Sequence, residues 1–287
     1  MKKQKRNPEP VAEALAIAVP ADRAWQALTT PGVLGDLVMG HVEMDWRPGR
    51  PFLWNWSVWA AAAPRKGQPG QFTWRGRVLD AVPGAALVLG GPGEVTASLT
   101  VKGQGQASLV TVVQGDSPGV DLELYRHGWA DFLLKLKTLL EQPPAEDALF
   151  VRTLMRATPR QVIQAWISPT AMSSILPGRA KIQPRQSGSY AWQRKSGLEK
   201  GVFLEITRGH RVAFTWEAGE AAGRAGRTSE VRISAEQTPY GALVSLEQSG
   251  AAAVGRGLAV QRRAWAHLLE RMRVYFHFGR KIASRNG

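Results

Sequence analysis

Cysteine is absent from the 287 residues, which excludes disulfides, thiolate metal sites and cysteine nucleophiles together, so stability must come from packing. Histidine is scarce, and His41, His127, His210, His267 and His277 are read as pairing neither with carboxylates nor with one another at metal-ligand spacing. His127, beside a tryptophan, is the best lone candidate and is expected on a helix surface. No phosphate-binding glycine motif follows a strand, and Gly103-Gln104-Gly105 reads as turn glycines. These absences leave no catalytic residue, no metal site and no cofactor to name, and the chain reads as a non-enzyme. Long hydrophobic runs are also lacking: nothing approaches the roughly 18 apolar residues of a membrane span. The basic start MKKQKR precedes a short apolar stretch broken by Pro10, Glu13 and Pro20. It reads as an exposed tail rather than a signal peptide, and the expected compartment is the cytoplasm.

What is present is enough apolar material for two ordinary cores, since 44% of residues are hydrophobic over a length that suits two domains. The formal charge of +14 is uneven. Residues 1–143 hold 15 Lys and Arg against 13 Asp and Glu, whereas 144–287 hold 22 against 10, so the halves carry +2 and +12. A basic second half could meet an acidic partner, a membrane surface or nucleic acid, or be a solvated arginine-rich face. The charges are scattered and no recognised reading motif accompanies them, so only weak, sequence-independent nucleic-acid binding is expected of Arg179, Lys181, Arg185, Arg194, Lys195 and Lys200.

The two halves can be laid over one another. Gln26-Ala27-Leu28-Thr29-Thr30-Pro31 matches Gln164-Ala165-Trp166-Ile167-Ser168-Pro169 at an offset of 138, and Arg47, Phe52 and Trp54 match Arg185, Tyr190 and Trp192 at the same offset. Gly76-Arg77-Val78-Leu79-Asp80 then matches Gly201-Val202-Phe203-Leu204-Glu205 at 125, which leaves 13 additional residues in the first copy, in the Ala-, Pro- and Gly-rich stretch 60–70. Leu109-Val110-Thr111 matches Leu243-Val244-Ser245, and Trp129 matches Trp265. So long a period means duplication of a whole domain. The copies are placed at 12–141 and 148–278, joined by the proline-rich linker 141–146.

Each copy has the same order. An opening strand, 14–19 or 149–155, leads into a short helix; in the second copy Thr158, Pro159 and Gln161 supply an N-cap, a proline at the first helical position and a capping box. Pro31 and Pro169 end that helix and start another turn. Strand patterns follow at 52–58, 72–80, 86–89, 97–101 and 107–113, punctuated by Gly and Pro as in an antiparallel meander. A last helix carries apolar residues every three or four positions: Leu122, Tyr125, Trp129, Phe132, Leu133, Leu136 and Leu140 in the first copy, and Leu258, Trp265, Leu268, Leu269, Met272 and Tyr275 in the second. That stripe needs a sheet to lie on, which gives an α+β fold with a long C-terminal helix in each copy.

The order Ala24-Trp25-Gln26-Ala27-Leu28-Thr29-Thr30-Pro31, Arg47-Pro48-Gly49, Gly76-Arg77-Val78-Leu79-Asp80 and Gly128-Trp129 resembles the family related to the activator of the 90-kDa heat shock protein ATPase, within the START-like (SRPBCC) superfamily. The resemblance implies tandem helix-grip domains, each a curved antiparallel sheet wrapped on its last helix with an apolar cavity between. The second copy departs from the pattern with Gln186-Ser187-Gly188 in place of the Pro-Gly turn.

Alternation in Phe52-Leu53-Trp54-Asn55-Trp56 puts Phe52, Trp54 and Trp56 on one strand face, with Phe72 and Trp74 similarly spaced on the neighbour. These rings either fill a core or line a cavity for an apolar ligand. The candidate ligand-binding residues are Trp54, Trp56, Phe72, Trp74, Val78, Leu89, Trp129, Phe132 and Leu136. Seven of the 11 tryptophans fall in the first copy, so its cavity is expected to be the more developed. The functional expectation is a non-enzymatic binder of a small hydrophobic molecule. The alternative is a protein-interaction or co-chaperone-like module, which the family's name implies; nucleic acid ranks behind both.

Overall fold

The computed structural model describes residues 10–38, 40–56, 72–91, 95–115, 122–142, 149–176, 178–194, 197–217, 228–250 and 256–278. The loop read at 60–70, most of the linker at 141–146 and the basic tail lie outside them. The chain divides into two units, 1–143 and 144–287.

In the first unit, β1 (Val11–Ile17) is followed by helices α1 (Ala21–Thr29) and α2 (Pro31–Leu37), then β2 (Gly40–Met44), β3 (Pro51–Trp56), β4 (Phe72–Val82), β5 (Ala86–Gly90), β6 (Thr96–Gln104), β7 (Ala107–Gln114) and α3 (Leu122–Glu141). The second unit repeats this as β8 (Leu149–Met155), α4 (Pro159–Trp166), α5 (Pro169–Ile175), β9 (Arg179–Ile182), β10 (Ser189–Arg194), β11 (Gly197–Thr207), β12 (Arg211–Glu217), β13 (Thr228–Thr238), β14 (Gly241–Ser249) and α6 (Arg256–Phe278). Each sheet is seven-stranded and antiparallel, with the opening strand returning beside the last one: β1-β7-β6-β5-β4-β3-β2 and β8-β14-β13-β12-β11-β10-β9. These are two curled α+β helix-grip domains.

Several local expectations hold. The Thr158 N–H donates to Gln161 Oε1 (2.8 Å) and the Gln161 N–H to Thr158 Oγ1 (3.3 Å), so the capping box forms. Pro31 and Pro169 open α2 and α5, where a missing N–H costs nothing. The opening strand of the first unit runs from Val11 to Ile17 rather than 14–19, because β7 offers it partners along that whole length. Strands β2 and β9, short and weakly patterned, were not read from the sequence.

Both sheets bend at the same place. Register slips between Val78 and Asp80 in β4, and between Phe203 and Glu205 in β11, mark equivalent β-bulges. A turn docks on each bulge: the Gly49 N–H donates to the Val78 carbonyl (2.7 Å) and the Ser187 N–H to that of Phe203 (2.8 Å). Gly49 has φ +83°, comfortable for glycine, but its counterpart Ser187 is forced to φ 59° by the same hydrogen bond. We expect Ser187→Gly to stabilise the second unit by about 0.5–1 kcal/mol, read as a higher urea midpoint at unchanged slope. A lower midpoint would mean that the turn does not carry this strain.

Candidate functional site

Directly paired residues share a sheet face. The register therefore places Trp54 beside Trp74, Phe52 beside Gly76, Val78 beside Leu89, Leu89 beside Ala97 and Ala97 beside Gln114, all on the inner face of the first sheet. From α3, Trp129, Phe132 and Leu136 close on this wall: Trp54 stacks on Phe132 (6.4 Å between centroids), and Trp129 meets Phe132 edge-on (5.6 Å). Phe52, Trp54 and Trp74 contact one another edge to face at 4.8–6.4 Å. Trp54, Trp74, Val78, Leu89, Trp129, Phe132 and Leu136 are all buried in one cluster. Trp56 and Phe72 pair in the same sheet, but their side chains lie outside the described residues.

The contact that orients the helix was not read from the sequence. Trp129 Nε1 donates to Gln114 Oε1 at 2.6 Å, and Trp265 Nε1 donates to Gln248 Oε1 at 2.6 Å, both buried. Gln248 Nε2 also donates to Ser229 Oγ (2.7 Å). The two glutamines occupy the same row of their sheets, paired to Ala97 and Val231. The signal was available, since Gln114 and Gln248 share the 134-residue offset of the matched Leu-Val-Thr and Leu-Val-Ser segments.

In the second unit Tyr190, Trp192, Phe203 and Phe214 form the equivalent wall, joined by Trp166 from α4. The Tyr190 hydroxyl donates to the Thr215 carbonyl (2.6 Å). Burial, then the charges of Glu199 and Glu217, push its phenol well above the ordinary value. A Cβ on Gly201 would sit 1.9 Å from that same carbonyl oxygen, and one on Gly76 would sit 1.9 Å from Gly90 O. Only glycine fits where the bent strands and an overlying aromatic ring converge.

The two walls also differ by an exchange. The Trp74 indole fills the space over Gly91, where a Cβ would be 2.0 Å from its Nε1. At the corresponding positions the second unit has Glu199 and Trp216, so the large ring has moved to the neighbouring strand and a carboxylate has taken its old place. Trp166, Trp192 and Trp216 are buried, and among the described residues their Nε1–H groups have no hydrogen-bond acceptor. Trp192 also borders a small cleft, partly open to solvent, between α5 and β9–β10, lined by Met172, Ser173, Leu176, Arg179 and Ala180 among others.

Two histidine readings need correction. His41 does pair with a carboxylate, Glu43 Oε1 at 2.8 Å, because residues two apart on a strand share a face. His127 is buried rather than on the surface of α3, as are Asp131 and Thr138 beyond it, so the helix is covered on more than its apolar stripe. Among the described residues no three His, Cys, Asp or Glu side chains cluster as metal ligands, and no helix is long and apolar enough to cross a membrane.

Residues 18–141 and 156–277 each match the family described as activator of Hsp90 ATPase homolog 1-like protein. The chain belongs to this family. Its two helix-grip units are START-like domains, and the doubled match agrees with the duplicated bulges, turns and Trp–Gln bonds. No curated protein sequence matches the chain. Among solved structures it is similar to StfQ, a di-domain ARO/CYC from the steffimycin biosynthetic pathway, with 11% identity over 95% of this chain and 99% of that one and a TM-score of 0.39. DynU16, from the dynemicin biosynthetic locus, has 15% identity over 96% and 99%, also at 0.39. The Aha1 dimer from Colwellia psychrerythraea has 13% identity over 46% and 97%, at 0.40.

If the indole–glutamine bond sets each helix, Gln114→Leu strands a buried N–H and should cost about 1–3 kcal/mol. Adding Trp129→Phe should recover part of that loss, and a double-mutant cycle in urea measures the coupling. Additive losses would show that the bond contributes nothing beyond packing.

Proposed function

We propose that this family member is a non-catalytic binder of a small, mostly apolar ligand that carries a hydrogen-bond acceptor, held between the sheet and the last helix. The observation that carries the reading is the pairing of aromatic inner walls with three buried indole N–H groups, those of Trp166, Trp192 and Trp216, that have no acceptor among the described residues. A buried unpaired donor costs about 1–3 kcal/mol, which a ligand oxygen would offset. The first unit contributes the wall of Trp54, Trp74, Val78, Leu89, Trp129, Phe132 and Leu136. The cleft beside Trp192 lies under α5 rather than under the last helix and has room for about one water, so a ring system seated between sheet and last helix requires the inner packing to open. A protein-interaction role, carried by the family relationship, is the second reading, and the basic charge of residues 144–287 favours it. We place both activities in the cytoplasm.

Equilibrium dialysis against fluorene and 9-fluorenone, which differ by one carbonyl, tests the ligand reading on the full chain. We expect saturable binding of both, with the ketone preferred about fivefold, the equivalent of one hydrogen bond. Trp192→Phe should abolish that preference while leaving fluorene in place, and Trp54→Ala should weaken whatever share of binding belongs to the first unit. If neither compound binds, the small-ligand reading is wrong and the interaction reading replaces it.

A further inference from the structure

The outer face of the second sheet differs from that of the first in a way that folding does not require. Along β11, Leu198, Lys200, Val202 and Leu204 occupy alternate exposed positions. Leu198, Val202 and Leu204 thus belong to the few large apolar side chains exposed among the described residues, and they stand together on one strand. The register sets Gln193 beside Leu198 and Arg179 beside Gln193; it sets Ala191 beside Lys200 and Lys181 beside Ala191. An apolar stripe is therefore flanked by Arg179 and Lys181 on the edge strand and interrupted by Lys200, which shares a 3.5 Å ion pair with Glu217.

The first unit supplies an internal control. At the equivalent positions β4 carries Thr73, Arg75, Arg77 and Leu79, and β2 carries His41 and Glu43 in place of Arg179 and Lys181. There His41 Nε2 and Glu43 Oε1 lie within hydrogen-bond distance of each other, at 2.8 Å. The same scaffold thus stands with Thr73 and Arg77 at the places of Leu198 and Val202 and with an exposed Leu79 at that of Leu204, so Leu198, Val202 and Lys181 are not demanded by the fold. Charge on an edge strand guards against strand pairing, but that does not account for an exposed leucine and valine beside it.

We propose that the outer face of β9, β10 and β11 docks an acidic, amphipathic segment of a partner protein, its apolar side chains on Leu198, Val202 and Leu204 and its carboxylates against Arg179, Lys181 and Lys200. The +12 charge of residues 144–287 steers such a partner toward this half of the chain. Nucleic-acid phosphates would meet the cations but gain nothing from the stripe, which is why a protein segment is the better fit.

The test uses the full chain and a fluorescein-labelled peptide of about 16 residues, built from Leu and Glu with the leucines on one helical face, followed by anisotropy. Leu198→Thr with Val202→Arg, and separately Lys181→Glu, import residues that the first unit already carries, so each should leave the thermal midpoint and far-UV circular dichroism unchanged. We expect each to weaken peptide binding about tenfold, and a rise from about 50 to about 300 mM salt to weaken the parent complex several-fold. Unchanged binding in the Leu198→Thr/Val202→Arg protein overturns the proposal. So does tighter binding of duplex DNA or phosphatidylserine vesicles that depends on Lys181 but not on the stripe, an outcome that assigns the face to a polyanion or a membrane surface.

Discussion

An indole N–H held by a buried glutamine is the contact on which each domain depends. A helix presenting an apolar stripe to an apolar sheet can rotate or slide at little cost, because dispersion and the hydrophobic effect are nearly non-directional. The bonds from Trp129 to Gln114 and from Trp265 to Gln248 remove that freedom. Each glutamine sits on the sheet's penultimate ladder, so the helix is fixed in rotation and depth at once. With α3 set, Phe132 comes to stack on Trp54. At its far end Glu141 accepts the Ala18 N–H (2.6 Å), and Lys137 donates to the Ala16 carbonyl (3.1 Å), tying the helix to the end of β1.

Around this constant contact the two units have kept some positions and traded others. Gly76 and Gly201, the bulges after them and the turns that dock there are held by steric limits that allow little substitution. The inner wall obeys a weaker rule, that total volume be preserved. That rule permits the move of one indole from the place of Trp74, now held by Glu199, to that of Trp216. The outer face obeys neither constraint, and there Leu198 and Val202 of the second unit stand where the first has Thr73 and Arg77. Constraint thus falls from the bulge to the wall to the surface, and the room for functional divergence rises in the same order.

Much of the fold was legible because its signals are local. The capping residues Thr158 and Gln161, the helix-opening prolines and the period of the last helices each act within a few residues. The duplication exposed the rest, since two noisy patterns at fixed offsets reinforce each other. Strands β2 and β9 escaped because they are short edge strands whose partners, not their own residues, define them. The glutamines escaped because a polar residue near a strand end reads as the onset of a loop; only the fold brings it under a tryptophan. The second unit's aromatic wall was under-read for a related reason: Trp166 lies on a helix and Phe214 and Trp216 on a later strand, so no local alternation unites them.

On the proposed reading the indoles have two roles, some locking the helices and others awaiting an acceptor. Indole ¹H–¹⁵N spectra of the labelled chain, with its 11 tryptophans assigned by Trp→Phe variants, test this directly when recorded without and with 9-fluorenone. The Nε1–H signals of Trp129 and Trp265 are expected to exchange slowly with deuterium and to stay in place, while those of Trp192, of Trp166 beside it and of Trp216 shift on addition of the ketone. Rapid exchange at Trp129 and Trp265, or movement of those two signals while the other three stay still, would contradict that reading.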